Sequence, residues 1–117
     1  MDKSVQDDTV ESLGIVIETS DPERAWNALR LGNTALDADI DASVFLLGEG
    51  VEIEEITHDQ FDVRAQMESF ADAGGELLAC GTCLEMRNSD ESGMCPISTM
   101  NDLLDVVTTA DRVLTIG

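Results

Sequence analysis

The sequence predicts a three-layer α/β/α domain on a mostly parallel sheet of about five strands. Short apolar, β-branched runs alternate with stretches whose apolar residues recur every three or four positions, the pattern of strands joined by helical crossovers. Aromatic residues make up 3% of the chain, with no Tyr, against 43% hydrophobic residues overall. The core must therefore come from Leu, Ile, Val, Ala and Met, which suits a sheet covered by helices. A length of 117 residues fits one domain around one core.

Residues 1–12 carry Asp7, Asp8 and Glu11 with almost no apolar periodicity, and are expected to form a flexible acidic lead-in to a single domain over 13–117. Residues 13–19 (LGIVIET) read as a strand buried on both faces. Asp21, Pro22 and Glu23 then form a helix start: a capping carboxylate, a proline where no N–H is needed, and an acid facing the dipole. The helix runs to about Ala38 with Ala25, Trp26, Leu29, Ala35 and Leu36 toward the sheet, Trp26 being core or interface. Residues 42–47 (ASVFLL) are the second strand, ended by a Gly48-Glu49-Gly50 loop. If the first two strands are parallel, that loop lies on the same rim as Cys80 and walls its surroundings.

Glu49, Glu52, Glu54 and Glu55 are read as a solvated loop rather than a cation site. Residues 59–73 are a second helix, with Val63, Met67, Phe70 and Ala71 on one stripe and Gly74-Gly75 as its stop. His58, the one histidine, precedes it in a capping or exposed role. A third strand ends at Cys80 and a short helical run follows to Arg87; residues 88–93 are a polar loop. Residues 94–97 are short and extended. Thr99 with Asp102 resembles a capping box for a last helix to about Ala110, whose expected buried stripe is Met100, Leu103, Leu104 and Val107. Residues 112–116 close the sheet.

The chemistry-bearing stretch is residues 77–87, LLACGTCLEMR. A strand that ends in a thiol and turns at Gly81 sets Cys80 on the carboxyl edge of the sheet, where open α/β sheets place their sites. In general a cysteine at a helix N-terminus becomes thiolate, the nucleophilic form, more readily than a free one. The bland reading of Cys80 is a small buried hydrophobe. Cys83 lies one helical turn on and is read either as a resolving thiol or as packing; Cys95, before Pro96, is read as structural or as a secondary thiol. Arg87 screens the thiol, guides an anionic partner, or is an ordinary exposed arginine. An odd number of cysteines, three, with no signal-peptide or membrane-spanning pattern, predicts a cytoplasmic chain with reduced thiols.

Charge excludes several partners. Twenty-five acidic residues against six Lys plus Arg give a net charge of −19, which repels phosphate backbones and anionic membranes, so no direct nucleic-acid or membrane binding is expected. A solvated, halophile-type acidic coat accounts for the excess. Trp26, Phe61, Phe70 and the methionines give more large apolar side chains than one sheet face hides, which predicts subunit contacts.

The stretches VFLLGEGVE, LLACGTCLEMR, CPISTMNDL and ADRVLTIG, in that order from Leu13 onward, resemble the DsrE/DsrF-like sulfur-relay family with its TusD- and YchN-related members. The resemblance implies a compact α/β/α domain assembled as a homotrimer or hexamer, and a cysteine that carries sulfur as a persulfide. Cys80 occupies that cysteine's position. It implies sulfur-donor and sulfur-acceptor proteins as partners and no cofactor. Cys83 intervenes where the relay subunits carry small residues, and Arg87 is followed by Asn88 rather than by a basic pair with Gly. The expected site is therefore Cys80, with Cys83 as a candidate resolving thiol, Gly81, Thr82 and Arg87 in support, Cys95 as a secondary thiol, and no metal. Two alternatives stand beside the sulfur carrier. One is a thiol–disulfide oxidoreductase cycling Cys80 and Cys83. The other is a non-catalytic assembly module, or a metal site on Cys80, Cys83 and Cys95, which lacks the second close pair that structural zinc sites show.

Overall fold

Five strands form one sheet in the order β4-β3-β2-β1-β5, in a computed structural model that describes residues 10–89 and 93–117. They are β1 (Ser12–Ile17), β2 (Asp41–Leu46), β3 (Glu76–Cys80), β4 (Ile97–Ser98) and β5 (Arg112–Ile116). Every pairing is parallel. Helices α1 (Pro22–Asp37), α2 (Val63–Asp72), α3 (Gly81–Met86) and α4 (Met100–Thr109) fill the connections. The three-layer α/β/α expectation holds. Residues 1–9 and 90–92 lie outside the described residues, and with them most of the expected acidic lead-in and the middle of the expected 88–93 loop. Ser12, expected in the lead-in, opens β1.

The register levels the strand ends. Ile17 pairs with Leu46 and with Ile116, and Leu46 pairs with Ala79, so β1, β2, β3 and β5 finish along one rim. The inner strands are buried because helices cover them: Ile15, Ile17, Val44, Phe45 and Leu46 are essentially inaccessible. α1 starts as the sequence predicts, with the Asp21 carboxylate accepting the Arg24 N–H at 2.9 Å. It packs on β1, β2 and α2, burying Ala25, Ala28, Leu29 and Ala35.

Four readings change. α2 begins at Val63 rather than near residue 59, because Asp62 is its cap and accepts the Ala65 N–H at 3.0 Å. Upstream, His58 Nδ1 accepts the Gln60 and Phe61 N–H groups at 3.1 and 3.3 Å, which holds this segment in a turn. The capping role read for His58 is thus realised in a turn. The expected loop at Gly48-Glu49-Gly50 is the start of a 3₁₀ helix over Gly48–Glu55. It seats Val51 and Ile53 in the core and leaves Glu49, Glu52 and Glu55 in water, so the acidic cluster is the wet face of a packed element.

The expected stripe of α4 is kept only at Leu103, which is partly buried against the core. Val106 is its buried residue, whereas Met100, Leu104 and Val107 are 59%, 57% and 44% exposed. Gly14 on β1 supplies the reason: a Cβ there would sit 2.8 Å from Val106 Cγ1, so the missing side chain makes the notch that receives Val106 and sets the rotation of α4. The capping box itself is present, Thr99 Oγ1 accepting the Asp102 N–H and Asp102 Oδ2 accepting the Thr99 N–H. Finally, the large side chains expected at subunit contacts are largely satisfied within the chain. Phe70 and Met67 are fully buried. Trp26 lies against Phe61 with ring centroids 5.2 Å apart, and the Arg30 guanidinium sits 4.4 Å from the Trp26 centroid. Of the methionines, Met86 on α3 and Met100 on α4 stay exposed at 75% and 59%, and Ile97, Leu104 and Val107 on β4 and α4 are exposed as well.

Candidate functional site

β3 delivers its thiol to the rim. Leu77 and Ala79 anchor the strand in the core, and Cys80, its last residue, is also the residue at which α3 begins, with extended backbone (φ −63°, ψ 117°). Ser98 of the edge strand β4 pairs beside it. Cys80 is 3% exposed, as buried as the bland reading of a small hydrophobe has it. α3 has only six residues, so its dipole is short and the surroundings of the sulfur atoms rest on side chains and on the neighbouring segment.

Cys83 lies one turn into α3 from Cys80, and it is half-buried, the more accessible of the pair. Its Sγ accepts the backbone N–H of Gly48 at 3.2 Å. The rim segment after β2 therefore does wall the cysteine site, as the parallel reading required. Gly48 adopts φ +56°, a left-handed turn that glycine takes without steric cost. Two residues on, Gly50 lies against the end of β1 so closely that a Cβ would overlap the Ile17 carbonyl oxygen.

Arg87 closes the outer side. Its Nη1 donates to the Cys83 carbonyl at 3.1 Å, which caps α3, and its Nε donates to Glu52 at 2.6 Å. Of the readings offered for Arg87, the structure selects a tethered one, part-way between an exposed helix arginine and a thiol partner. The Cys83 thiol is pushed up from its ordinary value, first by burial, then by its hydrogen bond to Cys80, with charge on Cys80 adding to the rise; the Gly48 N–H and the Arg87 charge act in the opposite direction. A charge on Cys80 thus opposes a charge on Cys83.

The remaining expected site residues fall elsewhere. Gly81 and Thr82 face an open depression with Glu85, Ile97, Ser98 and Met100, on the side of α3 toward β4. Cys95 is buried and lines a separate cavity of about 150 Å³ with Ala79, Leu84, Ser89 and Arg64. Among the described residues no group of three or more His, Cys, Asp and Glu could hold a metal ion, so the three-cysteine metal reading has no geometry here. No helix among the described residues is long and apolar enough to cross a membrane. Sequence reasoning missed Gly48 as a donor to sulfur and Glu52 as the partner of Arg87. The signal for the first was the glycine pair at a strand's carboxyl end; nothing in the sequence signals the second.

Fold and site together define a parallel α/β domain with a pair of cysteines one helical turn apart on the carboxyl rim of its sheet. The family model for the DsrE/DsrF-like family matches residues 11–116, and the chain belongs to that family. It is 33% identical over 99 residues to an uncharacterised protein of Methanocaldococcus jannaschii, covering 80% of this chain and 87% of the relative. It is 31% identical over 98 residues to an uncharacterised protein of Methanopyrus kandleri, with 79% and 81% covered. Among solved structures the fold is similar to that of the YchN protein of E. coli (TM-score 0.79, 19% identity, covering 92% of this chain and all of that one). A conserved protein of unknown function from Bacteroides thetaiotaomicron shares it as well (TM-score 0.73, 15% identity, 91% and 95% covered).

Proposed function

We propose that this protein is a cytoplasmic sulfur carrier that holds sulfane sulfur as a persulfide on Cys80 and relays it to a partner protein. The observation that carries this reading is the cysteine pair: Cys80 ends a core strand on the rim, one helical turn from a second thiol whose sulfur accepts the Gly48 N–H. Family membership supports it. In loading, the outer sulfur of a donor persulfide passes to the Cys80 thiolate, and the donor leaves as a thiolate that takes up a proton. One persulfide is exchanged for another, so no oxidant, cofactor or metal is required. Burial of Cys80 suits storage, since it keeps the sulfane sulfur away from thiols in solution.

The one-turn spacing of the thiols favours a second reading. The Cys83 thiolate could attack the inner sulfur of a Cys80 persulfide, releasing hydrosulfide and leaving a Cys80–Cys83 disulfide that a dithiol reductant must reopen. Assembly as a homotrimer or hexamer belongs to the same proposal, supported by the uncovered stripe of Ile97, Met100, Leu104 and Val107.

The test is the endpoint mass of reduced protein after exposure to sodium tetrasulfide and removal of the excess. One retained sulfur, mapped to Cys80 and lost on reduction, is expected for the wild type and for Cys83→Ser, and none for Cys80→Ser. A wild type that retains no sulfur, or a Cys80→Ser protein that retains it as well as wild type, overturns the proposal. Formation of a Cys80–Cys83 disulfide with free sulfide selects the second reading.

A further inference from the structure

Resting on that reading, we infer that Cys83 is the first acceptor of incoming sulfur and hands it inward to Cys80, with Gly48 and Arg87 placed to receive the charge left on Cys83. The juxtaposition carries it. Cys80, the storage thiol, is 3% exposed and caps the start of α3. Cys83 is half-buried, stands one helical turn from Cys80, and turns its sulfur to the Gly48 N–H on the rim. A donor bulkier than a few atoms meets Cys83 before Cys80.

The transfer balances in two exchanges. The Cys83 thiolate attacks the outer sulfur of the donor persulfide; the donor S–S bond breaks and the donor departs as a thiolate that is then protonated. The Cys80 thiolate next attacks the outer sulfur now on Cys83. A new S–S bond forms at Cys80, the one at Cys83 breaks, and Cys83 is released as a thiolate. Neither exchange changes the net oxidation state. The second is where the surroundings act, because a leaving thiolate is expelled faster when its charge is stabilised. The Gly48 N–H points at Cys83 Sγ from 3.2 Å, and the Arg87 guanidinium is held nearby through the Cys83 carbonyl and Glu52. Both act against the burial and the Cys80 neighbour that otherwise push the Cys83 thiol up. The glycine pair of the 3₁₀ segment acquires a role on this account: Gly50 lets the segment lie against β1, and the resulting placement aims the Gly48 N–H at the sulfur.

The experiment is a quenched time course with glutathione persulfide as donor, mapping persulfide on each cysteine peptide after alkylation. In the wild type, sulfur should appear on Cys83 first and accumulate on Cys80 afterwards. Cys83→Ser should load Cys80 at least about tenfold more slowly from this donor, while Cys80→Ser should load Cys83 and stop there without retention. A second measurement needs no variant: iodoacetamide should label Cys83 of the native wild type well before Cys80. Sulfur on Cys80 ahead of Cys83, an unchanged rate in Cys83→Ser, or Cys80 labelled first overturns the order of transfer while leaving a Cys80 carrier standing. Failure of any cysteine to take up sulfur from either donor overturns both.

Discussion

Replacing Gly50 with alanine tests how the 3₁₀ segment is seated and what that seating does for the cysteine pair. The added methyl would overlap the Ile17 carbonyl oxygen, a backbone atom at the end of a fully buried strand. A flexible side chain could swing away from such a contact, but β1 is fixed by pairing to β2 and β5 on both sides, so the 3₁₀ segment must move instead. Overpacking of this kind costs about 1–3 kcal/mol, and a backbone obstacle argues for about 3. At roughly 4 °C per kcal/mol for a domain of this size, the melting midpoint should fall by roughly 12 °C. Gly48→Ala is the comparator, because nothing lies within 4 Å of its Cβ position and only the φ of +56° resists the change. It should cost about 1 kcal/mol. The same displacement draws the Gly48 N–H away from Cys83. That bond lowers the Cys83 pKa, so in Gly50→Ala the thiol should ionise at still higher pH. Paired thermal melts and pH-dependent alkylation read both effects. A Gly50→Ala midpoint within about 2 °C of wild type, or an unchanged Cys83 titration, would refute the reasoning.

Cys83 should titrate above the ordinary thiol value of 9.0, so its alkylation rate in wild type should still climb where a free thiol has levelled off. Since the folded chain holds this proton more tightly than the unfolded one, the associated stability is complete below about pH 9 and lost as pH rises through the raised value; Cys80→Ala, which removes the hydrogen-bonding partner and its charge, should move the titration down. Thr99→Ala removes the hydroxyl that accepts the Asp102 N–H and should destabilise the protein by about 1 kcal/mol in urea unfolding, an unchanged midpoint showing that the cap is idle. Leu104→Lys, at a position 57% exposed, should change the stability of one subunit by less than about 0.5 kcal/mol yet reduce the mass found by light scattering, and no reduction would remove α4 from the assembly surface. Chloride should raise the melting midpoint as it screens the net charge of −19, over a Debye length that falls to roughly 3 Å at 1 M; a midpoint flat from millimolar to molar chloride would show that the acidic coat places no strain on the fold.

The sequence by itself determined the order of elements, because that information is local. β-branched runs, Asp21-Pro22 before a helix and Thr99 with Asp102 before another are statements about neighbouring residues, and each element formed where they point. The parallel arrangement followed from the alternation, and with it the placing of Cys80 and the Gly48–Gly50 segment on one rim. Composition likewise set the core, which is aliphatic apart from Phe45 and Phe70 among its largest fully buried side chains. Tertiary structure decided what depends on residues far apart in the chain. The rotation of α4 was settled by a missing side chain at Gly14, more than ninety positions from Val106, a contact that the local periodicity of that helix does not contain. Which thiol faces outward was settled the same way: β3 carries Cys80 into the packed interior while α3 turns Cys83 toward Gly48. Burial and hydrogen-bond donation arise only when separate segments meet, so the chemistry of this pair belongs to the fold, although the pair itself is written in four consecutive residues.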